Sequence, residues 1–311
     1  MKAVQIHEYG AAEVLRYVEV ADPVVNDDDV LIRVIGTSVN PVDWKIRAGH
    51  MKAMIPFAMP FTPGWDVSGV VQSVGKSVTA FAIGDSVYAR PDIARNGTYA
   101  ELIAVRASEV ARKPRTISHI EAGVLPLAGI TAWEAMVTRG QVSDGHRVLI
   151  HAASGGVGSL AVQIAKAHGA YVIATASAKN RKLVESLGAD EFIDYTAQPF
   201  QDSTKEIDLV FDTIGGSTQD NSWSTMRPNA LLISITSPPS EAVARQRGVR
   251  SEFLFIGPNA SALNQLTTFI ERGQLRPIVG AEFALTDIQR AHEMSESGRA
   301  KGKIAVYVGQ P

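Results

Sequence analysis

The stretch Val148-Leu-Ile-His-Ala-Ala-Ser-Gly-Gly-Val-Gly158 decides the fold. Val148–Ala152 reads as a short apolar strand. The glycines after it open a helix that runs through Lys166 and is stopped by Gly169. In such a turn glycine lets the backbone approach a pyrophosphate closely. The helix N-terminus adds N–H donors and the positive end of its dipole. The full G-x-G-x-x-G pattern is not there: Gly155 and Gly158 keep the G-x-x-G half, and Ala153 holds the place of the first glycine. Ser154, Gly155, Gly156 and Val157 are therefore the residues expected to cradle the phosphates of a dinucleotide.

The context on both sides supports this. Tyr171–Thr175 reads as a second strand, Lys179–Leu187 as a helix closed by Gly188, and Glu191–Tyr195, Ile207–Thr213, Ala230–Thr236 and Ser251–Ile256 as further strands. Short apolar strands alternating with helices imply a parallel sheet covered on both faces. Upstream the texture is different. Lys2–His7, Leu15–Val20, Val30–Val39, Gly69–Val74 and Ser86–Ala89 mix β-branched and alternating apolar residues between Gly, Pro and Asp turns, as in an antiparallel, β-rich domain. Met51–Phe61 contains Pro56 and Pro60 and cannot be one regular helix; it reads either as a buried connection or as an apolar loop beside a substrate. After a helix over Ala262–Arg272, the strand-like Lys303–Val308 is expected to return to the first domain. The expected organisation is an α/β chain with a β-rich domain over residues 1–118, a doubly wound domain over 119–260, and a linking helix and returning strand over 261–311.

The end of the second strand selects the dinucleotide. An NAD site carries Asp or Glu about 20 residues beyond the glycines to hold the ribose 2′-hydroxyl. Here the first acid after Gly158 is Glu185, inside the next helix, while Ser177, Lys179, Arg181 and Lys182 stand where the acid would be. A 2′-phosphate wants such donors and would be repelled by a carboxylate, so NADPH is the expected cofactor. The competing reading is a set of solvated charges at an exposed helix start.

The 311 residues contain no cysteine, which removes disulfides, iron–sulfur clusters, thiolate nucleophiles and thiolate zinc sites. No close histidine pair offers metal ligands, so no metal is expected, and no G-x-S-x-G elbow supports a hydrolase. Thirty basic against thirty-two acidic residues give a net charge of −2, with no basic run; neither nucleic acid nor membrane is an expected partner. Nothing marks export or a spanning helix, and the expected location is the cytoplasm.

The chain resembles the zinc-free quinone oxidoreductases, the zeta-crystallin-like branch of the medium-chain dehydrogenase/reductase superfamily. Four segments carry the resemblance: Ser38-Val-Asn-Pro-Val-Asp-Trp-Lys45, similar to that branch's nicotinamide- and substrate-side loop; Gly69-Val-Val-Gln-Ser-Val-Gly75 with Phe81 and Gly84-Asp85; Leu127-Ala-Gly-Ile-Thr-Ala-Trp133; and Ala152 through Lys166. Zinc-dependent relatives have Gly-His-Glu where this chain has Gly64-Trp65-Asp66, so Trp65 stands in place of a zinc ligand; many quinone reductases have Tyr where this chain has Lys45.

The resemblance implies a GroES-like catalytic domain followed by a Rossmann NADPH-binding domain, with the active site between them. It places Asn40 and Thr131 by the nicotinamide, and Tyr195 with Ser177 and Arg181 at the adenosine phosphate region. Ile235 and Phe255 fall at strand ends, where the ligand crevice of such a sheet opens. The implied reaction is zinc-independent hydride transfer from NADPH to a quinone. Alternatives are reduction of the C=C bond of an α,β-unsaturated aldehyde or ketone, and a non-catalytic NADPH-binding sensor or structural protein. Lys45 is the candidate donor to the developing negative oxygen, and Asn40 the residue that orients cofactor and substrate. A homodimer is expected because relatives dimerise.

Overall fold

The computed structural model describes residues 1–308. Its contacts divide the chain into two compact units. One comprises Met1–Leu127, Gly257–Arg272 and the chain from Pro277 onward; the other comprises Ala128–Ile256 with Gly273–Arg276.

The first unit is built on the long strand β3 (Asp29–Val39); β1 (Lys2–Gln5) and β2 (Arg16–Glu19) form a separate hairpin-like pair. β3 pairs antiparallel with β4 (Val67–Val74), which continues to β5 (Ser86–Ala89) and β7 (Val110–Arg112), while β6 (Leu102–Arg106) also pairs with β3. β3 is buried along nearly its whole length, which is why its sequence is almost continuously apolar rather than alternating. The core of this unit gathers Ile32, Val34, Trp65, Val67, Val87, Ile103 and Ile304 among others. Gly36 lets the helix His119–Gly123 come against β3: a Cβ there would lie 2.5 Å from the carbonyl oxygen of His119.

The second unit carries β8 (Arg147–Ile150), β9 (Tyr171–Ala176), β10 (Glu191–Asp194), β11 (Ile207–Asp212), β12 (Met226–Ser234) and β13 (Arg250–Phe253). All pair in parallel, in the spatial order β10-β9-β8-β11-β12-β13. This is the doubly wound order 3-2-1-4-5-6, and its direction of winding reverses between β8 and β11. The helix Gly156–Ala167 follows β8 directly.

The returning strand is present: β15 (Lys303–Tyr307) lies antiparallel to β3, pairing Ile304 with Val39 and Tyr307 with Gly36. On its other side it pairs in parallel with β14 (Val279–Ala284), a strand the sequence reading did not identify. β6 and β7 also lie outside the strands expected from the sequence, and three further details differ from expectation. β8 stops at Ile150, because Ala152 turns into the left-handed region (φ 48°) and takes the chain out of the extended conformation. The helix expected over Lys179–Leu187 is a 3-10 turn over Ala178–Asn180 followed by an α-helix over Arg181–Ser186. Part of the segment read as a loop, Pro41–Arg47, is helical, with proline at its first position, where the missing N–H has no intrahelical acceptor to lose. Met51–Phe61 forms turns; Phe57 stacks on Phe61 at 4.3 Å while Met54 stays exposed. No helix among the described residues is long and apolar enough to cross a membrane.

Gly36→Ala is expected to destabilise the chain by about 1–3 kcal/mol, the usual range for overpacking against an immobile neighbour. Urea unfolding of the variant checks this.

Candidate active site

Two strand registers assemble the polar centre of the first unit. The β15–β3 pairing, continued by one residue, sets Lys303 beside Asn40; the β3–β4 pairing of Gly36 with Ser68, continued by two, sets Asp66 beside Ser38. All four side chains are buried. Asp66 Oδ2 accepts from Ser38 Oγ and from Asn40 Nδ2, the latter at 2.8 Å, and Asp66 Oδ1 accepts from the Leu127 backbone N–H at 2.6 Å. Lys303 Nζ donates to Asn40 Oδ1 and stands 3.4 Å from Asp66 Oδ2. The Asn40 carboxamide is thus engaged at both ends, its oxygen by an ammonium and its nitrogen by a carboxylate.

A second chain of polar groups leaves from the same residue. The Asn40 backbone N–H donates to Asp43 Oδ2, Tyr99 Oη donates to that oxygen at 3.1 Å, and His292 Nε2 lies 3.2 Å from Tyr99 Oη. Burial dominates the protonation of this chain. It pushes the Asp43 carboxyl up to about 7, against the Asn40 N–H that favours the charged form, with the nearby Asp66 charge adding to the rise. It also holds the His292 imidazole neutral, down at about 3. Asp43 Oδ1 and His292 Nδ1 are buried with no hydrogen-bond partner.

Of the two proposed catalytic side chains, Asn40 lies at the middle of this cluster. Lys45, on the helix Pro41–Arg47, is partly exposed with its ammonium 5.8 Å from the Trp44 ring centroid. Sequence reasoning did not single out Lys303, Tyr99 or His292. The only trace of Lys303 in the sequence is a lysine at the head of an apolar strand, and its partner 263 residues away becomes visible only through the strand register.

In the second unit, Gly155 caps the helix Gly156–Ala167, so the N–H groups of its first turn have no acceptor within the helix. Gly158 packs that helix on the turn: a Cβ would meet the Ala152 carbonyl oxygen at 2.4 Å. Ser154, Gly155, Gly156 and Val157 are all partly accessible. Asn180 Nδ2 bridges Ser154 Oγ at 3.0 Å and Ser177 Oγ at 3.3 Å, joining the glycine turn to the end of β9; sequence reasoning passed over this residue. Lys179 and Arg181 are exposed, with Arg181 stacked over the Phe192 ring at 4.3 Å and 3.3 Å from Glu185.

A cavity of about 570 Å³ opens at the carboxyl ends of β8 to β11, lined in part by His151, Thr175, Tyr195, Phe200 and Ile214. His151 is fully buried, between Thr175 Oγ1 and Ser222 Oγ at 3.0 Å each, and burial takes its pKa down to about 4, so it stands there neutral. Tyr195 is the one expected cofactor residue on this lining. Ile235 directly follows β12, Phe255 lies two residues beyond β13 and is half exposed, and Thr131 is buried in the helix Pro126–Trp133.

Comparison with known proteins agrees with this description. Residues 26–115 match the alcohol dehydrogenase GroES-like domain, and residues 187–306 match the zinc-binding dehydrogenase family. The chain is 36% identical to an NADPH-dependent alkenal/one oxidoreductase of Arabidopsis thaliana chloroplasts, over 99% of this chain and 79% of that protein. It is similar to the solved quinone oxidoreductase of Coxiella burnetii (TM-score 0.91, 31% identity, 99% of each chain). It is also similar to a mycobacterial protein solved with NADPH (TM-score 0.89, 27% identity, 99% of each chain). The zinc in the second family's description finds no donor set here. Cysteine is absent, and among the described residues no three His, Asp or Glu side chains group closely enough to hold a metal ion.

The raised Asp43 pKa carries a sign. Between about pH 4 and 7 the unfolded chain has lost the Asp43 proton while the folded chain keeps it, so this residue lowers stability progressively as pH rises through that window. Asp43→Asn is expected to gain stability relative to the parent as pH increases from 4 to 7. Parallel denaturant melts at several pH values test it, and a pH-independent difference contradicts it.

Proposed function

We propose that this chain, which belongs to the zinc-free quinone oxidoreductase branch of the medium-chain dehydrogenase/reductase superfamily, reduces a quinone with NADPH. NADPH-dependent oxidoreduction is the activity of the scaffold, and NADPH is its cofactor. Bound to the second unit, NADPH supplies a hydride from its nicotinamide C4. The observation that carries the reading is the fixed polar cluster of the first unit. Ser38 and Asn40 donate to Asp66 and Lys303 donates to Asn40, which holds the Asn40 carboxamide in one orientation, and the chain has no cysteine with which to build a thiolate zinc site. A quinone suits such a site, because the charge developing on its oxygen is already delocalised and needs orientation and a few donors rather than a Lewis acid.

In this reading Ser154, Gly155, Gly156 and Val157 hold the pyrophosphate, and Ser177, Lys179 and Arg181 the 2′-phosphate. Tyr195 borders the adenosine, and Thr131, Ile235 and Phe255 complete the cofactor side. Arg181 pairs with Glu185 in a half-exposed i,i+4 contact and stacks on the Phe192 ring. Such surface pairs contribute little, so the guanidinium is readily available to a phosphate. Asn40 orients acceptor and nicotinamide, and Lys45 donates to the acceptor oxygen. The reading includes a cytoplasmic homodimer; β13, one of the two outer strands of the parallel sheet, carries the exposed Phe253.

A second acceptor class is favoured by one specific likeness: the Arabidopsis relative at 36% identity is an alkenal/one oxidoreductase. NADPH oxidation measured side by side with a benzoquinone and a short 2-alkenal separates the two. The quinone is expected to turn over faster; turnover with the alkenal alone moves the assignment to C=C reduction, and turnover with neither removes both. Arg181→Ala is expected to lower kcat/KM for NADPH about ten- to a hundredfold, the worth of one charge-assisted contact of about 1.5–3 kcal/mol, with NADH little changed. Equal losses for both cofactors contradict the phosphate assignment.

A further inference from the structure

We propose that Lys303 is a positioning residue whose ammonium, paired with Asp66, locks the Asn40 carboxamide in one orientation for the reaction. This rests on the role given to Asn40 above and adds to it a residue from the far end of the chain.

Three observations converge. The Asn40 side chain, 2% exposed, would rotate about its Cβ–Cγ bond if only one end were held, but here its oxygen accepts from Lys303 and its nitrogen donates to Asp66. The Lys303–Asp66 pair is almost wholly dry, with side chains 7% and 0% exposed, so neither charge has water as an alternative partner. Asp66 is in turn anchored from two further directions, by Ser38 Oγ and by the Leu127 backbone N–H. The carboxylate is therefore fixed, the ammonium is fixed on it, and the carboxamide spans the two. The polarity is also one-way: an ammonium can only donate, so Asn40 must present its oxygen to Lys303, and its nitrogen points to the carboxylate. The pair thus decides which end of the amide is which.

A buried lysine whose only task is to neutralise Asp66 would make a different prediction from one that orients Asn40. Replacing both charges with neutral groups of similar shape removes the need for compensation but leaves the Asn40 oxygen without its donor. The test therefore compares Lys303→Met, the double variant Lys303→Met/Asp66→Asn, and Lys303→Arg. Three readouts are used: thermal unfolding, kcat and KM for NADPH with the better acceptor, and the Asn40 side-chain NH2 signals in a 1H–15N spectrum, assigned through Asn40→Asp.

Lys303→Met is expected to unfold at lower temperature, and the double variant to recover most of that loss. The double variant should nevertheless keep kcat depressed by up to about 100-fold, the scale of a misplaced group, with KM for NADPH little changed. Its Asn40 NH2 pair should move toward the position of a solvent-exposed asparagine. Lys303→Arg, which keeps a cationic donor, should retain more kcat than Lys303→Met. A double variant with parental kcat, or with the Asn40 NH2 signals unmoved, overturns the proposal. If the parent enzyme turns over neither acceptor, the proposed reaction fails on its own; the NH2 signals still decide whether Lys303 fixes Asn40.

Discussion

A charge buried away from water must be met by another charge and by hydrogen bonds, or the fold loses several kcal/mol per ion. In this chain that requirement falls on Asp66. Its carboxylate lies beside the fully buried Trp65 and is answered by Ser38, by the Leu127 N–H, by Asn40 and by the ammonium of Lys303. Much of the first unit is arranged to deliver those partners. β4 brings Asp66 alongside β3, β15 comes back from the end of the chain to bring Lys303, and Asn40 stands where β3 ends and the helix Pro41–Arg47 begins. From Asn40 a second buried chain continues through Asp43 and Tyr99 to His292. This polar seam runs beside an apolar cluster of mostly Val and Ile with Phe61 and Trp65.

The second unit presents a different arrangement, a helix N-terminus, a glycine turn, and the Asn180 bridge that ties Ser154 to Ser177, which together suit an anionic ligand. Exposed positive charge stands beside it on Lys179, Arg181 and Lys182. The left-handed Ala152 shows how tightly the turn is drawn: the chain adopts there a conformation that glycine takes without cost. In a quinone or enone reductase this division of labour is coherent, since one unit supplies a strongly reducing cofactor and the other needs only to orient an acceptor and steady its oxygen.

The layered pattern of the fold was legible in the amino-acid sequence because local periodicity and glycine punctuation report it. The strands from Arg147 to Phe253 and the returning strand at Lys303 all overlap the apolar runs that predicted them, with β12 starting four residues early and β13 ending three early. Pro41–Arg47 was not legible as a helix, because its family likeness suggested a loop and its seven residues show little period. β14 was missed because Val279–Ala284 alternates weakly and owes its conformation to pairing with β15. The same physics explains the site. The glycine turn is local and can be read directly, whereas Asn40, Asp66 and Lys303 lie up to 263 residues apart and meet only through antiparallel register. A lone lysine before Ile304 carries no such message until the strand has a partner.

The central claim is that Asn40, held between Lys303 and Asp66, meets the reacting groups. A crystal structure of the chain with NADPH and a bound quinone or enone tests it most directly. The account predicts the Asn40 carboxamide within about 3.2 Å of the acceptor oxygen or of the nicotinamide carboxamide, with Lys303 still on its oxygen. An acceptor seated against the nicotinamide with Asn40 touching neither would contradict it.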